Sequence, residues 1–266
     1  MTKEEIRKSL LSMYLEIERI CQKHKLKYFV TGGAVIGAIR HQGFIPWDDD
    51  LDIALPREDY EKFVVLANQE LPESMELVIR ERARCGLLMD KYTNIEYADW
   101  IKEFLFDIEG HVFIDIQPFD GLPNNCVKRW IHSRYTFICR AIFKLCDMDK
   151  VVYKVESGRP KWEITLIHIW KSLQLSRLVN EEKAKKRYDA AMKKYSYYDY
   201  DWVADFVGKY MFKDIYPKIW WEPGGDHVFE DITIRMPSQY DKYLTQIYGD
   251  YMKLPEDKVE HIQNKE

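Results

Sequence analysis

Four aspartates, Asp48, Asp49, Asp50 and Asp52, fall within five positions, and the chain runs from them straight into the apolar sequence Ile53-Ala54-Leu55. Side chains on a strand alternate between faces, so if Leu51 and Ile53 turn inward, Asp50 and Asp52 share the opposite face about 6–7 Å apart. Asp48 has the same parity if the strand begins that early. Carboxylates this close repel and raise one another's pKa. A hard divalent cation such as magnesium or manganese relieves that repulsion, with phosphate oxygens completing its shell. The pattern points to phosphoryl transfer. A competing reading makes the aspartates a turn that caps a helix starting near Pro56. Turn chemistry alone does not explain aspartate at alternate positions of an apolar strand.

Two other stretches carry residues of the same kind. Val112-Phe113-Ile114-Asp115-Ile116 reads as a buried strand interrupted by one acid, which is costly unless paired or metal-bound. Asp115 is the candidate third carboxylate, and a buried Arg or Lys partner is the alternative. Asp120, before Gly121, reads as a turn former, with support of the site as the lesser reading. Upstream, Lys27–Val30 reads as a short strand, Thr31-Gly32-Gly33 as a tight turn and Ala34–His41 as a helix. That order presents backbone N–H groups at a helix N-terminus, where phosphate binds well. A lone Gly-Gly is weak evidence; ahead of an Asp-x-Asp strand it is stronger. Gly32, Gly33 and Arg40 are the candidate phosphate contacts, although Arg40 equally suits the surface of its helix.

The run G-G-A-V-I-G-A-I-R-H-Q-G-F-I-P-W-D-D-D-L-D-I-A-L-P-R-E-D-Y, from Gly32 to Tyr60, resembles the signature of the LicD family, which includes the fukutin-related proteins, within the nucleotidyltransferase superfamily. F-I-D-I-Q-P-F-D-G-L-P, from Phe113 to Pro123, and Y-G-D-Y-M-K-L-P, from Tyr248 to Pro255, resemble later segments of the family. The resemblance implies one catalytic unit over most of the chain. It implies transfer of phosphocholine, or a related phospho-alcohol, from a cytidine diphosphate donor to a glycan or glycolipid acceptor with a divalent metal. It also implies that the third acid, Asp115, comes from a strand neighbouring that of Asp50 and Asp52. Parity agrees, since Phe113, Asp115 and Gln117 share a face that grows polar toward Pro118.

The supporting elements follow from periodicity. Ile6, Leu10, Met13, Ile17 and Ile20 recur at spacings of four and three, which predicts an amphipathic helix over 3–24. Further helices are expected from Arg57 to Gln69, Val127 to Leu145 and Trp162 to Leu178, with an edge strand from Leu77 to Arg80. Arg80, Arg82 and Arg84 meet donor phosphates in one reading and form a solvated edge in the other. The aromatics of the helix at 162–178, with Lys183–Arg187, suit either peripheral contact with a membrane or a lid on the catalytic core. The tyrosine-rich run Tyr195–Trp202 suits either a cage for a quaternary ammonium group or partial core. Val228-Phe229 and Ile232–Ile234 predict a hairpin across Glu230-Asp231, and Ser238 is expected to cap a last helix that stops near Gly249. The expected architecture is α/β (α+β), a nucleotidyltransferase-like mixed sheet core at 1–125, a helical insertion at 126–200 and a C-terminal lid at 201–266.

Composition bounds the function. Forty basic against 44 acidic residues give a net charge of −4, which argues against general nucleic-acid binding. Five scattered cysteines without a C-x-x-C pair suit reduced thiols and do not suggest zinc. With no signal-peptide apolar region and no run of about 18 apolar residues, the chain is expected to be cytoplasmic, at most at the inner face of a membrane. The resemblance, together with eighteen tyrosines and eight tryptophans whose faces could surround a trimethylammonium group, favours choline over a polyol in the donor. Two other functions fit the same residues. They are nucleotidyl transfer to a small molecule, and a non-catalytic protein binding metal or glycan.

Overall fold

The computed structural model describes residues 1–81, 84–95, 110–146, 165, 172 and 179–254. The chain divides into two compact units, one formed by Met1–Asn124 with Tyr195–Glu266 and the other by Asn125–Lys194.

In the first unit, α1 (Lys3–His24) opens with a capping box in which the Thr2 hydroxyl accepts from Glu5 N–H and the Glu5 carboxylate accepts from Thr2 N–H. Its buried positions are those the spacing predicts, together with Ser9, Tyr14 and Cys21. β1 (Phe29–Thr31) leads without an intervening turn into α2 (Gly32–His41), where Gly32 has φ +64°. The expected tight turn at 31–33 is therefore the helix start itself. Then come β2 (Asp52–Pro56), α3 (Arg57–Glu70), β3 (Met75–Arg80), β4 (Cys85–Asp90) and the long β5 (Val112–Leu122).

These strands form a mixed sheet in the order β1-β2-β5-β4-β3, with β2 and β5 parallel and the other pairings antiparallel. β6 (Trp202–Ala204) pairs with the far end of β5, and β7 (Ile215–Pro217) pairs with β6. α1 and α3 pack on the sheet, where Ile53, Leu55, Ile114 and Ile116 are fully buried among Met13, Ile17 and Phe63. By the alternation of strand side chains the other face carries Asp52, Asp115 and Gln117. β8 (Gly225–Phe229) and β9 (Ile232–Met236) make the expected hairpin, with Glu230 at φ 54°.

Two local expectations are corrected. Asp120 is not in a turn, because β5 continues through Pro118 and Gly121 and pairs with β6 at 120–122. Ser238 does not cap the last helix, which spans Tyr240–Tyr248 with Gln239 at its N-cap position. The Ser238 hydroxyl instead accepts from Gly224 N–H.

In the second unit, a long helix (α4, Cys126–Cys146) and a shorter one (α5, Glu181–Met192) pack together, with Phe143 against Tyr188 at a centroid distance of 6.1 Å. The Asn180 side chain caps α5 by accepting from Lys183 N–H. The expected helix at 162–178 lies outside the described residues, apart from 165 and 172. Among the described residues, no helix is long and apolar enough to cross a membrane. The last helix, Tyr240–Tyr248, is α6.

Candidate active site

A cavity of about 1060 Å³ opens in the first unit, lined by Asp48, Asp50, Asp52 and Asp115 together with Gly32, Gly33 and Arg40. All seven residues singled out in the sequence thus border one space. Asp49 does not; it is buried outside the lining.

The sheet places the acids. Asp52 and Asp115 are register partners in the parallel β2–β5 pairing, so their side chains project from the same face on strands about 5 Å apart. Asp48 and Asp50 arrive from the segment before β2. The strand pairing is secured just beyond the acids, where Pro56 pairs with Phe119. There Arg57 Nε and Nη2 donate to Asp120 Oδ1 and Oδ2 at 2.7 and 2.8 Å, and both groups are buried. Asp120 is thus a buried ion-pair partner, which supports the site from below.

Burial pushes the Asp52 carboxyl well above the ordinary range, Asp50, Asp115 and Asp48 push it further, and Lys209 draws it back. Burial likewise raises Asp115 to about 6; Arg80 lowers it, Asp50 raises it, and a hydrogen bond from the Cys85 thiol at 3.9 Å lowers it. The repulsion expected from the spacing is present. Hard oxygen donors in this number suit a divalent cation. As the side chains stand, the described residues include no group of three or more His, Cys, Asp or Glu arranged to hold a metal ion.

The start of α2 lies against the same acids. A Cβ added at Gly32 would lie 2.8 Å from Asp52 Oδ2, and one at Gly33 would lie 2.5 Å from Asp48 Oδ2. Glycine is needed here for close approach, and at Gly32 also for its positive φ. The positive end of the helix therefore faces carboxylates. Gly32 N–H donates to the Tyr243 hydroxyl at 2.9 Å. Arg40 Nη1 donates to the Tyr251 carbonyl at 3.0 Å while bordering the cavity. Arg80 also borders the cavity, whereas Arg84 turns back on Glu81; Arg82 lies outside the described residues.

The segment 205–214 was not singled out in the sequence. Asp205 Oδ1 accepts from the N–H groups of Val207 and Gly208, both at 2.8 Å. Asp214 accepts from Tyr210 N–H and the Tyr216 hydroxyl, also at 2.8 Å. The two buried carboxylates hold a loop whose Val207, Gly208, Lys209 and Tyr210 border the cavity. The aromatic wall is Tyr210, Tyr216, Trp221, Tyr243 and Tyr248 with Phe119. The tyrosine run 195–202 is absent from the lining, which corrects the cage reading. Tyr197 is buried, and the Tyr198 hydroxyl donates to Asp59 while its ring lies 4.9 Å from Lys27 Nζ.

Comparison with known proteins adds to this geometry. Residues 25–157 match the family described as LicD/FKTN/FKRP, nucleotidyltransferase domain. The lipopolysaccharide cholinephosphotransferase LicD of Haemophilus influenzae is 28% identical over 92% of this chain and 90% of its own length. The human ribitol 5-phosphate transferase FKRP is 27% identical over 41% of this chain and 20% of its own. An uncharacterized protein of Rickettsia typhi is 30% identical over 44% of each chain.

Proposed function

The chain belongs to the LicD family, and from that premise we propose that it is a phosphotransferase moving phosphocholine, or a related phospho-alcohol, from a CDP-linked donor to a glycan hydroxyl. The single observation that carries the reading is the shared cavity face of Asp52 and Asp115, register partners on adjacent parallel strands, with Asp48 and Asp50 beside them. In this reading Asp50, Asp52 and Asp115, with Asp48, hold magnesium or manganese. When bound, the ion supplies charge neutralisation at the transferred phosphate and the departing nucleotide.

The chain's own residues do the rest. Asp115 is also the candidate acceptor for the proton of the acceptor hydroxyl. Gly33 and Arg40 meet the donor phosphates. Gly32 can contribute its N–H only by exchanging the Tyr243 hydroxyl for a phosphate oxygen. The aromatic wall supports choline in the donor, since a trimethylammonium group is attracted to ring faces.

The acceptor class is supported by relatives whose names specify lipopolysaccharide cholinephosphate and ribitol 5-phosphate transfer. Incubating the protein with a glycan and either CDP-choline or a CDP-polyol, followed by mass analysis, tests the reading. It expects a phosphocholine adduct with release of CMP and faster use of CDP-choline. Nucleotide attached to the product would establish nucleotidyl transfer instead, and faster use of the polyol donor would overturn the choline assignment.

A further inference from the structure

One face of α4 has no counterpart in the reading above. Val127, Trp130, Ile131, Tyr135 and Ile138 are between 47% and 59% exposed. Their spacings of three and four place them along one side of the helix. The opposite side, with His132, Thr136, Phe137, Cys139 and Phe143, is buried in the second unit. A soluble helix normally turns such a stripe inward, and an exposed apolar patch of this kind marks an interaction surface.

The composition of the helix narrows the partner. It carries Lys128, Arg129, Arg134, Arg140 and Lys144 and no Asp or Glu, in a chain whose net charge is −4. The positive charge is thus a local property of this element. The Arg134 guanidinium lies 3.9 Å from the Trp130 ring centroid, which joins charge to an amphipathic ring. Trp and Tyr beside Ile and Val, with Lys and Arg alongside, is the chemistry of the boundary between headgroups and acyl chains. A protein partner would be expected to meet an apolar stripe without needing this excess of one sign of charge. The helix is not apolar enough to span a bilayer.

We propose that α4 is a membrane-surface helix that docks the protein on a bilayer rich in anionic lipid. Val127, Trp130, Ile131 and Ile138 enter the headgroup boundary, and Lys128 and Arg134, beside and within the stripe, meet lipid phosphates. This does not depend on the donor or the metal, so it stands or falls separately from the phosphotransferase reading.

Sedimentation of the full chain with vesicles tests it. Phosphatidylcholine vesicles containing phosphatidylglycerol should bind the protein, phosphatidylcholine alone should bind it about tenfold less, and added salt should weaken binding. Trp130→Glu with Ile138→Glu should reduce binding about tenfold or more, with an unchanged thermal transition. Trp130→Phe should retain binding while losing the part of the fluorescence quenching by brominated lipid that Trp130 supplies. Absence of binding to anionic vesicles overturns the proposal. So does equal binding by the double variant, or conversion of a dimer to a monomer by that variant, which would give the stripe to a second copy.

Discussion

Asp52 on β2 and Asp115 on β5 stand opposite one another in a parallel strand pair, on the face that borders the cavity. A parallel pairing gives register partners the same direction, so two acids 63 positions apart in sequence meet as neighbours. Burial raises both pKa values, and repulsion adds to it, from Asp50 and Asp115 at Asp52 and from Asp50 at Asp115. The metal-free protein therefore holds a strained arrangement that an ion would relieve.

Replacing Asp52 or Asp115 with Asn removes repulsion, so the metal-free variants should be more stable than the parent. A rise of about 2–4 °C in Tm corresponds to about 1 kcal/mol. Magnesium should raise the Tm of the parent and leave the variants nearly unchanged, and turnover should be lost. Differential scanning fluorimetry with and without magnesium checks this; a variant with the parent's magnesium response would remove that residue from the site.

The Arg57–Asp120 pair lies at the end of the β2–β5 pairing and is almost fully buried. Asp120→Ala strands a buried guanidinium and should cost about 3–5 kcal/mol in urea denaturation. Replacing both partners with Met and Leu should recover most of that loss. A double variant as unstable as the single one would show that the pair contributes more than mutual charge compensation.

Gly32 and Gly33 separate backbone geometry from side-chain displacement. Gly32→Ala adds strain at positive φ and crowds Asp52, so it should lose about 1 kcal/mol or more along with activity. Gly33→Ala meets only the carboxylate end of Asp48. It should keep its stability and weaken the magnesium response, as thermal shift and metal titration would show.

Stability should also fall in mild acid through His132. Burial and Lys194 lower its pKa to about 4, against about 6.5 in the unfolded chain. Between these values the unfolded state binds more protons, so stability decreases as pH falls from about 6.5 to about 4 and levels off below. His132→Gln should flatten that part of the urea midpoint's pH profile, and an unchanged slope would assign it to other groups.

Local pattern made much of this legible. The four-and-three spacing of apolar residues gives α1 its bounds, and alternation gives the shared face of Asp52 and the facing of Asp115. What was misread depended on distant partners. Pro118 and Asp120-Gly121 look like a turn by composition, yet the strand continues because Arg57 neutralises Asp120 and β6 pairs with 120–122. Ser238 looks like a helix cap, but its hydroxyl is engaged by Gly224. The loop held by Asp205 and Asp214 has no short-range signature, because its carboxylates are satisfied by the loop's own backbone and by Tyr216.

The central claim is that Asp52 and Asp115, from adjacent parallel strands, and Asp50, from the segment before β2, bind one divalent ion. A crystal soaked in manganese, with the ion located by its anomalous scattering, tests it most directly. The account predicts manganese in the cavity with carboxylate oxygens of all three residues about 2.0–2.3 Å away. Manganese absent from the cavity, or held without Asp115 while that carboxylate pairs with Arg80, would contradict it.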